Sequence, residues 1–366
     1  MKEQNIVMNT PTIKVSLQEI ENKKPDIRKL TLAEISEELQ KLGEPKFRAK
    51  QVWQWLWEKS ATSFEEMTNL SQKLREILQE NFAINLLTIA EEQKSDDGTV
   101  KSSFRLYDGK IVEGVLIPVK DRMTACISSQ VGCSLSCKFC ATGYMGKKRN
   151  IEAAEIYDQV VAIARQAEEN FNQPLTNIVY MGMGEPLMNY KNVLQSIDRL
   201  TSPDGLNMSP KRITVSTAGI AKFIKMLADD NVKFNLALSL HAAHDEKRNE
   251  IMDINESNSL DVLAEALKYF YEKTENRITF EYILFDNFND SLKDADELYQ
   301  FTKHVPCRVN ILEYNPIEEA EYKKPTAERM DKFANYLIRR GVRTTVRRSR
   351  GKDIDAACGQ LANKKG

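Results

Sequence analysis

Three cysteines, Cys133, Cys137 and Cys140, stand in the run VGCSLSCKFCATG at residues 131–143. Their spacing is C-x3-C-x-Phe-C, and it packs half of the chain's six cysteines into eight residues. Thiolates are the ligands of iron–sulfur clusters. Three of them on one short loop can hold three irons of a [4Fe-4S] cube and leave the fourth iron open. An open iron is a coordination site for a substrate or cofactor, so the asymmetry points to an enzyme. A structural zinc with Cys126 as fourth ligand is the alternative, but such sites usually use two separated CxxC-like pairs. A disulfide framework does not suit a chain this long and this poor in cysteine.

The rest of the composition narrows the class. The chain has 366 residues, 42 % of them hydrophobic, enough for two domains or one α/β barrel with additions. No apolar run of about 20 residues is present, so no membrane helix is expected. The N-terminal stretch lacks the apolar core of a signal peptide. Unpaired cysteines and no export signal predict a cytoplasmic protein. Only His241, His244 and His304 are available as imidazoles, and no GxxxxGK[ST] phosphate loop occurs. Net charge is −1, so overall charge does not argue for nucleic acid. Local basic groups do: Lys147, Lys148 and Arg149 follow the cysteine loop, Lys211 and Arg212 precede an apolar run, and Arg343, Arg347, Arg348, Arg350 and Lys352 cluster near the end. Each is either a solvated face or a phosphate contact.

These residues must be positioned by the elements around them. Residues 1–28 are polar and read as a flexible lead-in. Residues 29–90 read as a small helical domain, a candidate RNA-binding accessory. Thr31 and Glu34 make a capping box, and Leu32, Ile35, Leu39 and Leu42 recur at helical spacing. Two more helices carry Ala49, Val52, Trp53 and Leu56, then Leu70, Leu74, Ile77 and Leu78. Residues 91–122 read as a β-rich extension whose turns are the Asp97-Gly98 and Asp108-Gly109 dipeptides. From 123 to 350, six strand-like segments alternate with helices, which predicts a parallel sheet closed into a partial (β/α)6 barrel. In such barrels chemistry sits at the C-terminal ends of the strands. The cysteine loop, GMGEP (182–186), STAG (216–219), SLH (239–241) and Asn315-Pro316 all fall at such ends. Residues 351–366 form a C-terminal segment carrying Cys358 between small neighbours.

The cysteine motif after a first barrel strand resembles that of the radical S-adenosylmethionine (SAM) enzymes. MGMGEPLMN (181–189), SLHAAHDEKRNEIM (239–252) and DIDAACGQL (353–361) resemble one branch of them, the RlmN/Cfr family of RNA adenine methyltransferases. GEPKFRAKQVWQWLW (43–57) fits as well, so the resemblance covers nearly the whole chain. It implies an α/β fold, a partial (β/α)6 radical SAM barrel with an N-terminal helical domain and a β-hairpin extension. It implies that Cys133, Cys137 and Cys140 ligate a [4Fe-4S] cluster. Gly184, Glu185, Ser216, Ser239, Leu240, His241 and Asn315 would line the SAM site. Two SAM molecules are implied per turnover, one as methyl donor to Cys358 and one as radical source. Glu113 would act as the base and Cys126 as the thiolate that resolves an enzyme–RNA thioether by forming a disulfide with Cys358. The implied substrates are an adenosine in the peptidyl-transferase region of 23S rRNA and an anticodon-loop adenosine in tRNA, methylated at C2. An electron donor such as flavodoxin or ferredoxin is implied, and a monomer is expected. One departure is visible: Asp253 stands where the family commonly has proline, which is expected to alter a turn.

Three other readings stay open on the sequence. One is the C8-methylating, Cfr-like relative. Another is a radical SAM enzyme acting on a protein or small molecule. The third is a zinc-bearing RNA-binding module without catalysis. GMGEP and RRSRGKDIDAACGQ (347–360) favour the C2 branch over the C8 branch.

Overall fold

The first helix begins where Thr31 Oγ1 accepts from the Glu34 N–H and the Glu34 carboxylate accepts from the Thr31 N–H. In the computed structural model, which describes residues 24–363, this capping box opens α1 (Leu32–Lys41). Helices α2 (Phe47–Trp57) and α3 (Gln72–Asn81) follow. Residues up to Leu56 together with Ala61–Asn85 make one compact unit. Ile35, Leu39, Ala49, Val52, Leu56, Leu74 and Leu78 form its buried face, as the helical spacing predicted, but Leu32, expected on the same stripe, is exposed at the first turn of α1. Most of the expected lead-in lies outside the described residues. Its last part belongs to this unit: Ile27 is buried and donates to the Ala83 carbonyl at 3.0 Å.

Trp57–Ser60 and the chain from Leu86 onward make a second unit, built on one ten-stranded sheet. Strands β1 (Thr88–Lys94), β2 (Val100–Arg105), β3 (Ile111–Val119) and β4 (Arg122–Cys126) form an antiparallel meander. Its first two tight turns carry Gly98 and Gly109 at φ +86° and +82°, where a side chain would be strained. Asp97 and Asp108 accept from the N–H two residues on, at 2.9 and 3.2 Å, which holds these turns.

After β4 comes a small ribbon of β5 (Gln130–Val131) and β6 (Arg149–Asn150), with α4 (Ala141–Tyr144) between them. The chain then alternates: α5 (Ala153–Phe171), β7 (Asn177–Tyr180), α6 (Tyr190–Thr201), β8 (Ile213–Thr217), α7 (Ala221–Asp229), β9 (Asn235–Ser239), α8 (Asp245–Ile251) and α9 (Leu260–Thr274). It ends with β10 (Ile278–Leu284), α10 (Leu292–Thr302), β11 (Cys307–Glu313), α11 (Ala327–Arg339) and β12 (Thr344–Arg347). Strands β4, β7, β8, β9, β10, β11 and β12 pair in that order and all in parallel. This is the partial radical SAM barrel, extended by the β1–β3 meander. The seventh parallel strand, β12, is hidden in the sequence because TTVR sits inside a basic run. Charged side chains suit it, since it is an edge strand.

Alternation along β10 shows how the barrel wall works. Phe280 and Tyr282 pack outward on Phe301 of α10 and Phe333 of α11, with ring centroids 5.3 and 5.4 Å apart. Thr279, Glu281 and Ile283 therefore face the other side of the sheet. Glu281 there accepts from Asn310 Nδ2 of β11 at 2.7 Å, so the inner face is partly polar. No helix among the described residues is long and apolar enough to cross a membrane.

Candidate active site

The cysteine loop is built on the β5–β6 ribbon, whose Val131 carbonyl accepts from the Lys148 N–H at 2.8 Å. Gly132 sits at φ +73°, and a Cβ there would lie 1.9 Å from the Gly146 carbonyl oxygen. Only glycine lets the two ends of the loop approach so closely. The Cys140 N–H donates to the Cys137 carbonyl at 3.1 Å, and the Gly143 N–H to the Cys140 carbonyl at 2.9 Å, which leads into α4. Phe139 is buried and meets the His241 ring edge-on, with centroids 4.7 Å apart. Leu135, Cys137 and Cys140 pack on the same apolar cluster as Phe139, Ile251, Met252, Ile283 and Phe285. The aromatic residue between the cysteines thus pins their loop to the strand-end loop carrying His241.

The three thiols fit an iron–sulfur cluster. Burial pushes Cys133 up to about 11 and raises Cys137 and Cys140 as well. Half-buried thiols whose ionisation is opposed in this way need a strong cation, which iron would supply. Among the described residues no three His, Cys, Asp or Glu groups converge on one ion-sized point. A cube does not require this, because each thiolate binds its own corner.

The strand ends beside the loop are tightly built. Past β7, Gly184 lies at φ +93°, and a Cβ there would be 2.4 Å from Gln130 Cβ. Gln130 Oε1 accepts from the Glu185 N–H at 2.9 Å. The Glu185 carboxylate accepts from the Leu187 N–H at 3.0 Å and from the Ala218 N–H, beyond β8, at 2.8 Å. It therefore joins two neighbouring strand ends, and burial pushes it up to about 7. Ser216 and Ser239 face each other across β8 and β9, their hydroxyls 3.3 Å apart. The Leu240 N–H donates to the Glu281 carbonyl at 3.0 Å, so Leu240 contributes through its backbone. His241 has the left-handed φ of +56°. Its Nδ1 accepts from the Ile283 N–H at 3.1 Å, which leaves the proton on Nε2. Burial, reinforced by the Arg248 charge, lowers its pKa to about 3. The ring is thus a neutral donor held in one orientation.

The third set comes from the C-terminal segment. Asn315, just after β11, donates from Nδ2 to the Cys358 carbonyl at 3.2 Å. The Gly359 carbonyl accepts from the Ala141 N–H at 2.8 Å, and the Leu361 carbonyl from Thr142 Oγ1 at 2.6 Å. These bonds lay the segment against the cysteine loop. Cys358 is exposed to solvent, yet loss of solvation pushes its thiol up to about 12. A sulfur in a recess open to solvent has both properties, and the exposure is what decides that a small substrate can reach it. Cys126, at the end of β4, is buried, and burial pushes it up to about 12. Both thiols are free.

Glu113 of β3 is buried, unlike most lone carboxylates, and it touches the same segment. Its Oε2 accepts from the Ala362 and Asn363 N–H groups at 2.9 and 3.3 Å, and its Oε1 lies 3.8 Å from Lys101 Nζ. The candidate cluster, SAM and catalytic residues therefore gather where β4, β7, β8, β9 and β11 end, whereas Lys211 and Arg212 precede β8 and His304 precedes β11. The basic clusters divide. Arg149 is held by Asp108 and Glu155, at 2.8 and 2.7 Å. Arg350 donates to the Asp97 and Pro118 carbonyls, both at 2.9 Å, and Lys352 pairs with Glu313 at 2.5 Å. Arg350 and Lys352 fasten the Cys358 segment to the barrel, whereas Arg347 and Arg348 are exposed. Lys147 and Lys148 are exposed.

Several positioning residues were not singled out from the sequence. Asn289 donates to the His241 and Ile283 carbonyls at 2.6 and 2.8 Å and accepts from the Phe285 N–H at 2.7 Å. Glu313 joins Ser349, Lys324 and Lys352. Arg248 is fully buried behind the strand ends. Each is an ordinary polar letter whose importance comes from burial. Asp253 begins a short 3-10 turn, Asp253–Ser257. Proline is at home at a first helical position, so the exchange leaves this turn in place.

Two family models match the chain. The Ribosomal RNA large subunit methyltransferase N-terminal domain matches residues 26–84, and the Radical SAM superfamily matches residues 127–301. The chain is 59 % identical over 344 residues to a probable dual-specificity RNA methyltransferase RlmN of Cytophaga hutchinsonii, covering 94 % of each chain. It is 52 % identical to the protein of the same name from Christiangramia forsetii, over 94 % of this chain and 98 % of that one. A solved radical SAM methyltransferase from Sphaerobacter thermophilus superimposes with a TM-score of 0.87 at 42 % identity, over 92 % of this chain and 99 % of that one. With the cysteine loop, the strand-end motifs and the Cys358 segment gathered at one end of such a barrel, the chain belongs to the RlmN-type family of radical SAM RNA methyltransferases.

Proposed function

We propose that this enzyme methylates C2 of an adenosine in 23S rRNA and of an adenosine in tRNA, using Cys358 as the carrier of the methyl carbon. The observation that carries the reading is the seating of Cys358: its thiol is reachable, its carbonyl is held by Asn315, and its flanking Gly359 is bonded to the cysteine loop. The dual-specificity wording of the relatives' names supports two RNA classes.

Adenine C2 is electron-poor and does not attack a methyl sulfonium as a nucleophile, whereas a carbon radical can add to it. Bound at Cys133, Cys137 and Cys140, a [4Fe-4S] cluster with SAM would supply the methyl group of Cys358, the radical from a second SAM that removes a hydrogen atom from it, and the acceptor for the electron that the RNA adduct gives up. The chain's own residues do the rest. The Cys358 sulfur takes the methyl carbon; once that carbon has lost a hydrogen atom to the SAM-derived radical, it adds to adenine C2 and gives a thioether between enzyme and RNA. The Glu113 carboxylate, four residues along the chain from Cys358 at its contact with Ala362, takes the C2 proton. The Cys126 thiolate then attacks the Cys358 sulfur; the S–C bond breaks, an S–S bond forms, and the departing methylene carbon takes up a proton as the methylated base leaves. Thiol reductants reopen the disulfide. Gly184, Glu185, Ser216, Ser239, Leu240, His241 and Asn315 orient SAM, with the Nε2–H of a neutral His241 as a fixed donor.

The test is the Cys358→Ala protein, loaded anaerobically and given rRNA and tRNA. Its cluster absorbance is expected to match the parent, and mass spectrometry of nucleosides should show no new 2-methyladenosine. Methylation by this variant refutes the carrier role. Methylation at C8 in the parent refutes the C2 assignment.

A further inference from the structure

Arg248 is the largest charged side chain with no exposed surface in the barrel unit, and among the described residues its side-chain hydrogen bonds all go to neutral oxygens. Its Nε donates to the Leu240 carbonyl at 3.0 Å. Its Nη2 donates to the Ala218 carbonyl at 2.5 Å and to the Ser239 carbonyl at 3.3 Å. Its Nη1 donates to Asn255 Oδ1 at 2.6 Å. One guanidinium thus binds the backbone past β8 and the backbone past β9, the two strand ends expected to receive SAM. A lysine could not do this, because its single ammonium lacks the planar fork that meets several carbonyls at fixed angles.

The helix that carries Arg248 is also tied to the cysteine loop. The Lys138 N–H donates to the Ile251 carbonyl at 3.1 Å, and Ile251 and Met252 pack with Phe139, Cys137 and Cys140. The guanidinium is thus carried on a short helix whose end is bonded to the cysteine loop. All four hydrogen-bond partners of Arg248 are neutral, and a buried cation with only neutral partners is costly unless an anion lies near. Asp245, the nearby carboxylate, is turned to Asn255 Nδ2 at 2.7 Å and to the Leu260 N–H at 3.0 Å. Three thiolates would leave a [4Fe-4S] cluster net anionic, so the loaded site adds a second anion to Asp245, which reaches Arg248 only through Asn255.

We propose that Arg248 is the positioning residue of the active site, which sets the two SAM-facing strand ends through its carbonyl bonds and provides a buried positive charge on the helix tied to the cysteine loop. The inference rests on the cluster and SAM assignment made above, and concerns a residue that need not touch either the RNA or the reacting atoms. A positive charge near the cluster favours its reduced, more negative form, so it raises the reduction potential.

The test uses anaerobically loaded parent, Arg248→Lys and Arg248→Met proteins, with electron paramagnetic resonance titration of the cluster and equilibrium binding of SAM. The Met variant should shift the reduced-to-oxidised ratio at fixed potential about tenfold toward oxidised, about 59 mV for one electron. The Lys variant should keep the parent potential but bind SAM about tenfold more weakly, since the carbonyl fork is gone. Parent-like SAM binding in the Lys variant overturns the positioning role. A parent-like potential in the Met variant overturns the charge role. If the Met protein does not fold, Arg248→Gln replaces it in the titration with the same expected shift. A parent that takes up no iron and sulfide would refute the cofactor assignment itself, which is a different result from a loaded parent whose variants behave like it.

Discussion

Removing Glu313 should loosen the segment that carries Cys358 without touching the cysteine loop. Glu313 is the last residue of β11, and its side chain has no exposed surface. It accepts from the Ser349 N–H at 2.7 Å and from Lys352 Nζ at 2.5 Å, and it pairs with Lys324. Against the cost of burial, these partners bring its carboxyl down from 4.5 to about 2. A depression of that size is about 3 kcal/mol for a fully shielded group. Lys324 and Lys352 are 41 % and 47 % exposed and rehydrate when released, so the figure falls to about 2 kcal/mol. That is about a 30-fold increase in local opening. The folded pKa is lowered, so this stabilisation is complete above 4.5 and is lost as pH falls toward about 2. Hydrogen exchange of Glu313→Ala should show residues 349–361 exchanging about 30-fold faster at neutral pH. Methyl loading of Cys358 from SAM should fall in parallel, read as intact mass. Exchange within twofold of the parent across that segment refutes the reasoning.

Three further outcomes are expected. Gly132→Ala places a Cβ 1.9 Å from the Gly146 carbonyl oxygen at φ +73°, so the variant should lose most of its bound iron while the barrel's circular dichroism stays parent-like; iron and sulfide analysis checks this. Cys126→Ala removes the thiolate that resolves the adduct, so RNA should remain covalently attached to the protein on a denaturing gel, and free methylated RNA should be scarce. His241 has its pKa lowered from 6.5 to about 3, so the stability it contributes is complete above 6.5 and is lost as pH falls toward 3. Its ring resonances should therefore not titrate between about pH 8 and pH 5, and a midpoint near the ordinary histidine value, absent in a His241→Asn control, refutes the buried-neutral assignment.

The local signals were legible wherever the physics is short-range. A capping box is complete within four residues, so Thr31 and Glu34 announced α1 correctly. The Asp-Gly turns were legible for the same reason, since Gly98 and Gly109 need only their own φ. The helices were legible from their apolar stripes, because burial of one face follows the 3.6-residue period. Strand β12 was not, because its stabilisation comes from hydrogen bonds to β11 while its side chains are those of an exposed basic run. The basic cluster at 343–352 was ambiguous for a related reason: Arg350 and Lys352 differ from free surface cations only by carbonyls and a carboxylate more than thirty residues away.

The sequence by itself determined the chemistry available: three closely spaced thiols for a cluster, a glycine-rich strand end, and a lone cysteine among small residues near the C-terminus. Spacing suffices there, because a short loop can reach only a few arrangements. The tertiary structure alone decided which groups share an environment. It set Cys358 among Cys126, Cys140 and Glu281, engaged Glu113 with the chain just beyond that cysteine, and placed Arg248 under two strand ends with only neutral hydrogen-bond partners. Such neighbourhoods depend on how distant segments close onto one core, and so do burial and the electrostatics that follow from it, which no local spacing encodes.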